Sequence, residues 1–224
     1  MVNNSNNETA VTRIFLIRHC QSVGNLLKVF QGQTEFDVSP LGEKQLALLG
    51  LSLRNETIDA IYSSPLLRAW KTAEAVNEYH GLDIIPLDEL KEIDIGELAG
   101  RKSGKTFEGY PELAYNWANA RNLCAFPGGE SASDVWFRAE SALKKVLSEC
   151  SGRTAAIVSH GFLLQCMICL LKYGDISMLQ KCHVGDNTSV SEFLISDNGA
   201  EIVRLNDSSH LPSVLNETVD YNTI

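Results

Sequence analysis

The sequence lacks an apolar run long enough to cross a membrane as a helix. Its longest apolar stretch, residues 162–171, is interrupted by Gln165 and falls short of the roughly 20 residues that a bilayer-spanning helix needs. Residues 1–9 are rich in asparagine and have neither the basic nor the apolar segment of a secretory signal. We therefore expect no membrane-spanning helix, a cytoplasmic location, and a disordered leader at residues 1–12.

The chain also lacks an excess of basic residues. It carries 19 Lys and Arg against 28 Asp and Glu, which gives a formal net charge of −9. This balance argues against nucleic acid or an anionic membrane surface as a partner. An anionic ligand would need a local cluster of arginines to overcome the overall field.

A metal-ligand pattern is nearly missing as well. Among the six cysteines, Cys166-x-x-Cys169 is followed by Cys182-His183, but no second Cys-x-x-Cys occurs. Zinc is one interpretation of this set. Because both cysteines of the pair fall within an apolar helical segment, core packing by reduced thiols is favoured.

What the sequence does contain is a regular alternation of short β-forming segments and helical segments. This alternation predicts a single three-layer α/β/α domain at residues 13–212, followed by a C-terminal tail at 213–224. Its sheet is mostly parallel, and the turn Asp197-Asn198-Gly199 predicts a final hairpin with one antiparallel strand. The less regular segment at about 95–121 predicts a small lid. The expected strands are 14–17, 58–62, 83–87, 154–159, 190–195 and 201–205. Five main helices are expected: one that begins at residue 40, one from about 68 to about 80, one at 111–121, a long one that ends at 150, and one at 162–172.

Reactive side chains recur where the predicted strands end. Arg18 and His19 end the first strand, and His160 ends the fourth. Arg68 follows the second strand at a helix N-terminus, and Glu92 follows the third. Since parallel strands carry their chemistry at the carboxyl edge of a sheet, we expect these five residues to converge there. Two arginines, two imidazoles and helix N-termini suit a phosphate group, and a carboxyl group beside them can protonate a leaving group.

These motifs resemble those of the histidine phosphatase superfamily, with its phosphoglycerate mutase-like fold. The matching segments run in family order over about residues 13–211. They are Arg18-His19-Cys20-Gln21-Ser22 with Asn25, Phe30-Gln31-Gly32, Ser63-Ser64-Pro65-Leu66-Leu67-Arg68-Ala69, Leu90-Lys91-Glu92-Ile93, Pro127-Gly128-Gly129-Glu130-Ser131 and Ser159-His160-Gly161.

The resemblance implies phosphoryl transfer through His19, which becomes phosphohistidine. Arg18, Arg68 and His160 then hold the phosphoryl oxygens, and Glu92 protonates the leaving alcohol before it activates water. His19 must be neutral to attack, and we expect nearby arginines to lower its pKa. The resemblance also implies that no metal and no cofactor are needed. It assigns further substrate contacts to Asn25, Gln31, Gly32 and Gly161.

Two segments depart from the family pattern. Cys20 stands where relatives have glycine, and its side chain either strains the loop and forms a reactive thiolate or is a tolerated small residue. Residues 96–100 read Gly-Glu-Leu-Ala-Gly where relatives often have Gly-x-Trp-Glu-Gly, which affects the contacts expected on the substrate side. His210 resembles a recurring element near the family's C-terminus, and we expect it to be structural. Trp117, Trp136 and Phe137 are expected in the core.

The sequence therefore predicts a phosphomonoester hydrolase that acts on a small phosphorylated metabolite. A cofactor-dependent phosphoglycerate mutase is the first alternative. Such mutases resemble this chain but usually carry a longer insertion with paired arginines and a proline run, both of which residues 93–159 lack. A phospholigand-binding module that has lost turnover, marked by Cys20, is the second. The sequence identifies neither the substrate nor the oligomeric state.

Overall fold

The fold is organised on one sheet whose strand order is β3-β2-β4-β1-β5-β6. The structure is a computed structural model that describes residues 10–215; most of the leader predicted at 1–12 and of the tail predicted at 213–224 lies outside the described residues. The strands are β1 (Thr12–Arg18), β2 (Ala60–Ser63), β3 (Ile84–Pro86), β4 (Thr154–Ser159), β5 (Val190–Ser196) and β6 (Gly199–Asp207). Neighbouring strands pair in parallel except β5, which is antiparallel to both β1 and β6. The predicted sheet with one antiparallel strand is confirmed.

Helices cover both faces of the sheet. They are α1 (Val23–Leu26), α2 (Pro40–Leu53), α3 (Leu67–Asn77), α4 (Pro111–Asn119), α5 (Ala132–Glu149) and α6 (Gly161–Tyr173). Side chains of β1 alternate between the two faces: Phe15 and Ile17 pack in one cluster with α2 and α3. Ile14 and Leu16 pack in the other cluster, with α4, α5 and α6. This arrangement is the predicted α/β/α sandwich. Within residues 10–215, no helix combines the length and the apolar content that a membrane crossing requires.

Local sequence signals explain where the helices begin and end. Ser39 accepts the N–H of Gly42 ahead of α2, whose first residue is Pro40, an arrangement that stabilises a first turn. Ser131 and Asp134 form a reciprocal capping box at the start of α5. Gly174 ends α6 in the left-handed conformation at φ 64°, where a side chain would be strained.

Some predicted boundaries are wrong for local reasons. The helix expected to reach about residue 80 ends at Asn77, because the Asn77 side chain bonds both the N–H and the carbonyl of Leu82, at 2.8 and 2.6 Å. The strand expected from residue 58 begins at Ala60. There the carboxylate of Asp59 accepts the N–H of Thr154 at 2.8 Å.

The aromatic residues expected in the core do not all lie there. Trp117 and Trp136 are buried, but the side chain of Phe137 is 66% exposed. Trp117 packs edge-on against Phe30 and stacks on Phe162. The segment at 95–121 therefore packs on the main core through α4.

Candidate active site

The carboxyl ends of β1 and β4 bring the two predicted histidines together. The strands pair in register, Arg18 opposite Ser159, and the N–H of His19 donates to the carbonyl of Ser159 at 2.9 Å. As a result the His19 and His160 rings lie 5.0 Å apart, centroid to centroid. This contact follows from strand register alone, since each histidine comes directly after its strand.

A cavity of about 200 Å³ opens at this edge of the sheet. Its wall includes most of the predicted site residues: His19, Asn25, Gln31, Gly32, Arg68, Glu92 and Gly161. Arg18 and His160 do not line the cavity. They are buried beside it, with 1% and 0% of their surface exposed, and the charge of Arg18 acts on both His19 and His160.

His19 is held in one tautomer. Its Nδ1 lies 2.6 Å from the carbonyl oxygen of Cys20, and because a carbonyl only accepts, Nδ1 carries the proton. Nε2 therefore keeps a lone pair. Burial, followed by the charges of Arg68 and Arg18, holds the pKa of His19 well below its usual 6.5. A neutral imidazole with a defined lone pair is what nucleophilic attack requires.

His160 is also neutral, for a similar reason. Burial is the largest cause that lowers its pKa, and Arg68 and His19 add to it. Its Nε2 lies 2.8 Å from the hydroxyl oxygen of Ser64. Ser64 belongs to the motif that carries Arg68, so this hydrogen bond ties the ends of β2 and β4 together. Apart from its place in that motif, nothing in the sequence singled out Ser64.

Backbone carbonyls orient both arginines. Arg18 Nη1 donates to the carbonyl of Gly185 at 2.6 Å. Arg68 donates to the carbonyls of Gly32 and Thr34, at 2.8 and 3.1 Å. Each side chain is 1% exposed. The guanidinium groups are therefore fixed before any ligand arrives, which suits electrostatic stabilisation of a phosphoryl group.

Glu92 sits at the N-terminus of α6. Its carboxyl oxygens accept the N–H groups of Phe162 and Leu163, at 3.2 and 3.3 Å. Oε1 also accepts the N–H of Ile93 at 2.9 Å. These donors orient the carboxyl group in the cavity wall. The first of them, Phe162, comes directly after His160 and Gly161, so Glu92 is held close to both predicted site residues.

The amide side chains of Asn25 and Gln31 both contact the hydroxyl of Ser22, at the N-terminus of α1. Ser22 Oγ lies 2.9 Å from Asn25 Oδ1 and 2.8 Å from Gln31 Oε1. Asn25 Oδ1 also accepts the N–H of Ser22 at 3.1 Å. Because both amide oxygens face Ser22, the amide nitrogens of Asn25 and Gln31 are directed away from it. Both residues line the cavity and can donate to an anion.

Cys20 does not behave as a reactive thiol. It is fully buried and packs with Val38, Leu46 and Ala75, and burial raises the pKa of its thiol to about 12. The expected thiolate in an electropositive pocket is therefore wrong. The strain interpretation fails as well, since Cys20 is not among the residues with positive φ. Its N–H donates to Thr72 Oγ1 at 2.9 Å, so the position is an ordinary turn.

Cys166, Cys169 and Cys182 are likewise buried in the core. Across residues 10–215, no group of three or more His, Cys, Asp or Glu side chains is arranged to hold a metal ion.

Several residues near the site carried little or no sequence signal. Asn187 donates to the carbonyl of His19 at 2.8 Å, and Thr188, at φ 63°, donates its N–H to the carbonyls of Arg18 and His19. His210 Nε2 lies 3.2 Å from the Thr188 hydroxyl, in agreement with a structural role. Gln165, which lines the cavity, is the polar residue that interrupts the apolar stretch at 162–171, and this interruption was its only signal.

Comparison with known proteins identifies the family. A model of the histidine phosphatase superfamily, branch 1, matches residues 14–208. The chain is 33% identical over 201 residues to phosphoserine phosphatase 1 of Hydrogenobacter thermophilus, covering 90% of this chain and 95% of that one. It is 31% identical over 157 residues to 2-carboxy-D-arabinitol-1-phosphatase of Triticum aestivum, covering 70% of this chain and 32% of that one. The solved structure of Bacillus stearothermophilus YhfR superposes with a TM-score of 0.81 at 26% identity, covering 89% and 98% of the two chains. The chain belongs to the histidine phosphatase superfamily.

Proposed function

We propose that the chain hydrolyses phosphomonoesters of small metabolites through a phosphohistidine formed at Nε2 of His19. The observation that carries this proposal is the state of His19: a neutral ring whose Nδ1 is bonded to the Cys20 carbonyl. His19 lines the same cavity as Arg68, and the charges of Arg68 and Arg18 both act on its ring. The family membership supports the reaction class, and the residue roles below are our assignments.

In the first step, Nε2 of His19 forms a bond to phosphorus while the bond to the ester oxygen breaks. Glu92 gives its proton to that oxygen, which leaves as the alcohol. In the second step, Glu92 takes a proton from water, whose oxygen attacks phosphorus and releases His19 and inorganic phosphate. Arg18, Arg68 and His160 stabilise the charge on the phosphoryl oxygens, with donors from Asn25 and Gln31 and the backbone at Gly32 and Gly161.

The nucleophile is tested by labelling. Protein incubated with a phosphorus-32 ester is quenched, and acid-labile, base-stable label is counted. We expect the parent to carry the label and His19→Ala to lose both label and turnover. His80→Ala is the matched control. It removes an imidazole that lies after the C-terminus of α3, whereas Arg68 lies at the N-terminus of that helix, and we expect this variant to keep both the label and turnover. Label retained on His19→Ala would overturn the assignment.

The acid is tested with two esters that differ in leaving group. We expect Glu92→Gln to lower kcat/KM, which reports the phosphorylation step, by about 10²–10⁴-fold for an alkyl phosphate, the range of general acid catalysis, and far less for p-nitrophenyl phosphate. The nitrophenolate leaves readily without a proton. Equal losses for both esters would argue against proton donation by Glu92.

The two alternatives are separated by other observations. Cys20 carried the case for a binding module without turnover, and its lack of a positive φ and its burial outside the cavity wall count against that case. A mutase would convert 3-phosphoglycerate to its isomer in the presence of the bisphosphate cofactor, without net phosphate release. Phosphate release from phosphomonoesters, with no isomerisation under those conditions, is the outcome we expect.

We further propose that the substrate carries a carboxylate near its phosphate. The names of two relatives, phosphoserine phosphatase and 2-carboxy-D-arabinitol-1-phosphatase, describe substrates of this kind. In this chain Arg121 adds a buried positive charge to the same cavity as His19 and Arg68. Its Nε donates to the carbonyl of Trp117 at 3.0 Å and its Nη1 to Gln165 Oε1 at 3.2 Å. These contacts hold the guanidinium in place to attract a carboxylate.

O-phosphoserine and O-phosphoethanolamine test this substrate class, because they differ only by the carboxylate. We expect the parent to prefer phosphoserine, and Arg121→Gln to lower kcat/KM for phosphoserine about 10–100-fold, the equivalent of one charge-assisted hydrogen bond. Phosphoethanolamine should change less than threefold. Arg101→Gln, in the same segment but outside the cavity wall, is the control. No preference in the parent would exclude this substrate class and leave the phosphatase proposal intact.

We also propose a cytoplasmic location, and no nucleic-acid or membrane partner, from the net charge of −9 and the six free cysteines. We propose a single domain at residues 13–212. Its first strand, β1, begins one residue earlier, at Thr12. The segment at 95–121 is proposed as a small lid, because Trp117 and Arg121 contribute to the cavity wall. Fractionation of cells that express the tagged chain tests the location.

A further inference from the structure

Arg138 on α5 contacts the segment that carries Glu92 at three points. Its Nη1 donates to the carbonyls of Glu89 and Lys91, at 2.8 and 2.5 Å. Its Nη2 donates to the carbonyl of Glu92 itself at 3.0 Å. One side chain therefore binds three carbonyls within four residues.

Glu130 holds Arg138 in this position. Its two carboxyl oxygens accept from Arg138 Nε and Nη2, at 2.8 and 3.0 Å, the bidentate geometry that fixes a guanidinium plane. Glu130 Oε2 also accepts the N–H of Asp94 at 2.7 Å, and the N–H of Glu130 donates to the Asp94 carbonyl at 2.8 Å. The pair thus grips the chain on both sides of Glu92.

The segment needs this support because it has little regular structure of its own. Between the 3₁₀ turns at Asp88–Leu90 and Gly96–Leu98, residues 91–95 belong to no helix or strand. The Glu92 carbonyl is bonded by Arg138 and by Gln33 Nε2, at 3.0 Å each. A loop held only by its ends would let the carboxyl group drift, and a misplacement of about 1 Å can cost roughly 10²-fold in rate.

We propose that Arg138, fixed by Glu130, is a positioning residue that sets the Glu92 carboxyl group against the leaving oxygen. This inference rests on the proposed proton-donor role of Glu92. The guanidinium fixes the main chain of Glu92, while the first amides of α6 fix its side chain. Both supports are required. If the main chain of Glu92 shifted, its side chain would have to rotate to reach the same place, and the carboxyl group would lose its hydrogen bonds to the amides of α6.

A role in positioning the acid predicts a loss that depends on the leaving group. For Arg138→Met we expect kcat/KM on an alkyl phosphate, which reports the phosphorylation of His19 and not the later hydrolysis common to all esters, to fall about 10–100-fold, up to the cost of about 1 Å of misplacement. The kcat/KM for p-nitrophenyl phosphate should change by less than about threefold, because its leaving group needs little protonation. Arg138→Lys should recover part of the loss, since an ammonium keeps the charge but binds fewer carbonyls. Glu130→Gln should show the same selectivity, more weakly.

Arg13→Met is the matched structural control. Arg13 pairs with Glu56 and Glu192, each at 2.7 Å, on the sheet, and is comparably part-buried. We expect this variant to lower the melting temperature while both esters keep the parental ratio of rates. The ratio of the two kcat/KM values, rather than either value, is the readout that a merely structural role would not move.

Two outcomes overturn the inference, and they are distinguishable. If Arg138→Met, Arg138→Lys and Glu130→Gln slow both esters equally while Glu92→Gln remains selective, Arg138 supports the fold and does not position the acid. If Glu92→Gln is itself unselective, the proton-donor role fails and takes the inference with it. Should Arg138→Met fail to fold, the lysine and glutamine variants carry the same comparison.

Discussion

Replacing Cys20 with glycine tests whether the departure from the family pattern impairs the site. The side chain is completely buried, with Val38, Leu46 and Ala75 around it, and its Sγ lies 3.8 Å from the carbonyl of Arg68. The Cys20 carbonyl is the group that orients His19. The substitution therefore removes packing behind the site and loosens the backbone that holds the nucleophile.

The magnitude follows from these contacts. Loss of one buried methylene and a thiol costs about 1–2 kcal/mol, and the freer glycine backbone adds about 0.5–1 kcal/mol. The total of about 1.5–3 kcal/mol corresponds to a fall in melting temperature of roughly 3–12 °C for a chain of this size. Cys20→Ala should lose only the packing part. Because Cys20 is buried and does not line the cavity, kcat/KM should stay within about tenfold of the parent.

The assay combines thermal unfolding with kinetics on one phosphomonoester, before and after mild peroxide. With its pKa raised to about 12 by burial, Cys20 is protonated and inert at neutral pH. Peroxide should therefore affect the parent, Cys20→Ala and Cys20→Gly alike. A gain of several hundredfold on introducing glycine would refute the packing argument and revive the binding-module hypothesis. Peroxide inactivation of the parent alone would show that the thiol is accessible after all.

Three further predictions concern pH, metal and a helix cap. The lowered pKa values of His19 and His160 mean that the unfolded chain binds more protons below about pH 6.5, so the free energy of unfolding should fall as the pH drops. Denaturant titrations from pH 5 to 7.5 should show His160→Gln reducing that slope by up to about 1.4 kcal/mol per pH unit, and an unchanged slope would contradict the burial of a neutral imidazole. Activity should persist in EDTA without added metal, and loss that a divalent ion restores would be the opposite result. Ser131→Ala, which removes the side chain that accepts the Asp134 N–H, should lower stability by about 1 kcal/mol in urea unfolding, whereas Ser131→Thr should retain most of it.

The sequence was sufficient to predict the sheet and the meeting of the two histidines. Ile14 to Ile17 and Ala155 to Val158 are apolar without interruption, as buried parallel strands are. The strands that contain these runs, β1 and β4, are each followed directly by a histidine, and parallel strands present their carboxyl ends at one edge. Only the pairing order had to be assumed, and it is one that places β1 beside β4.

Contacts distant in sequence and set by backbone geometry could not be predicted in this way. The clamp of Arg138 on the carbonyl of Glu92 joins residues 46 apart, and no local pattern links them. Thr188 adopts φ 63°, a conformation that threonine's branched side chain disfavours. The burial of Cys20 depends on its packing against α2 and α3, through Leu46 and Ala75, and the residues next to Cys20 in sequence do not indicate it.

The register of β1 on β4 links the core to the chemistry. Ile14 and Leu16 must face one helical layer and Phe15 and Ile17 the other. A slip of one residue would exchange the two sets and move His19 by about 3.3 Å along the strand. Its ring would then lose the 5.0 Å contact with His160 and the bond between its N–H and the Ser159 carbonyl. Since α6 starts directly after His160 and binds Glu92 with its first amides, the acid would lose its alignment with the nucleophile as well. The register that places these side chains in their two layers therefore also fixes the distances between the two histidines and the acid, without any interaction made by the substrate.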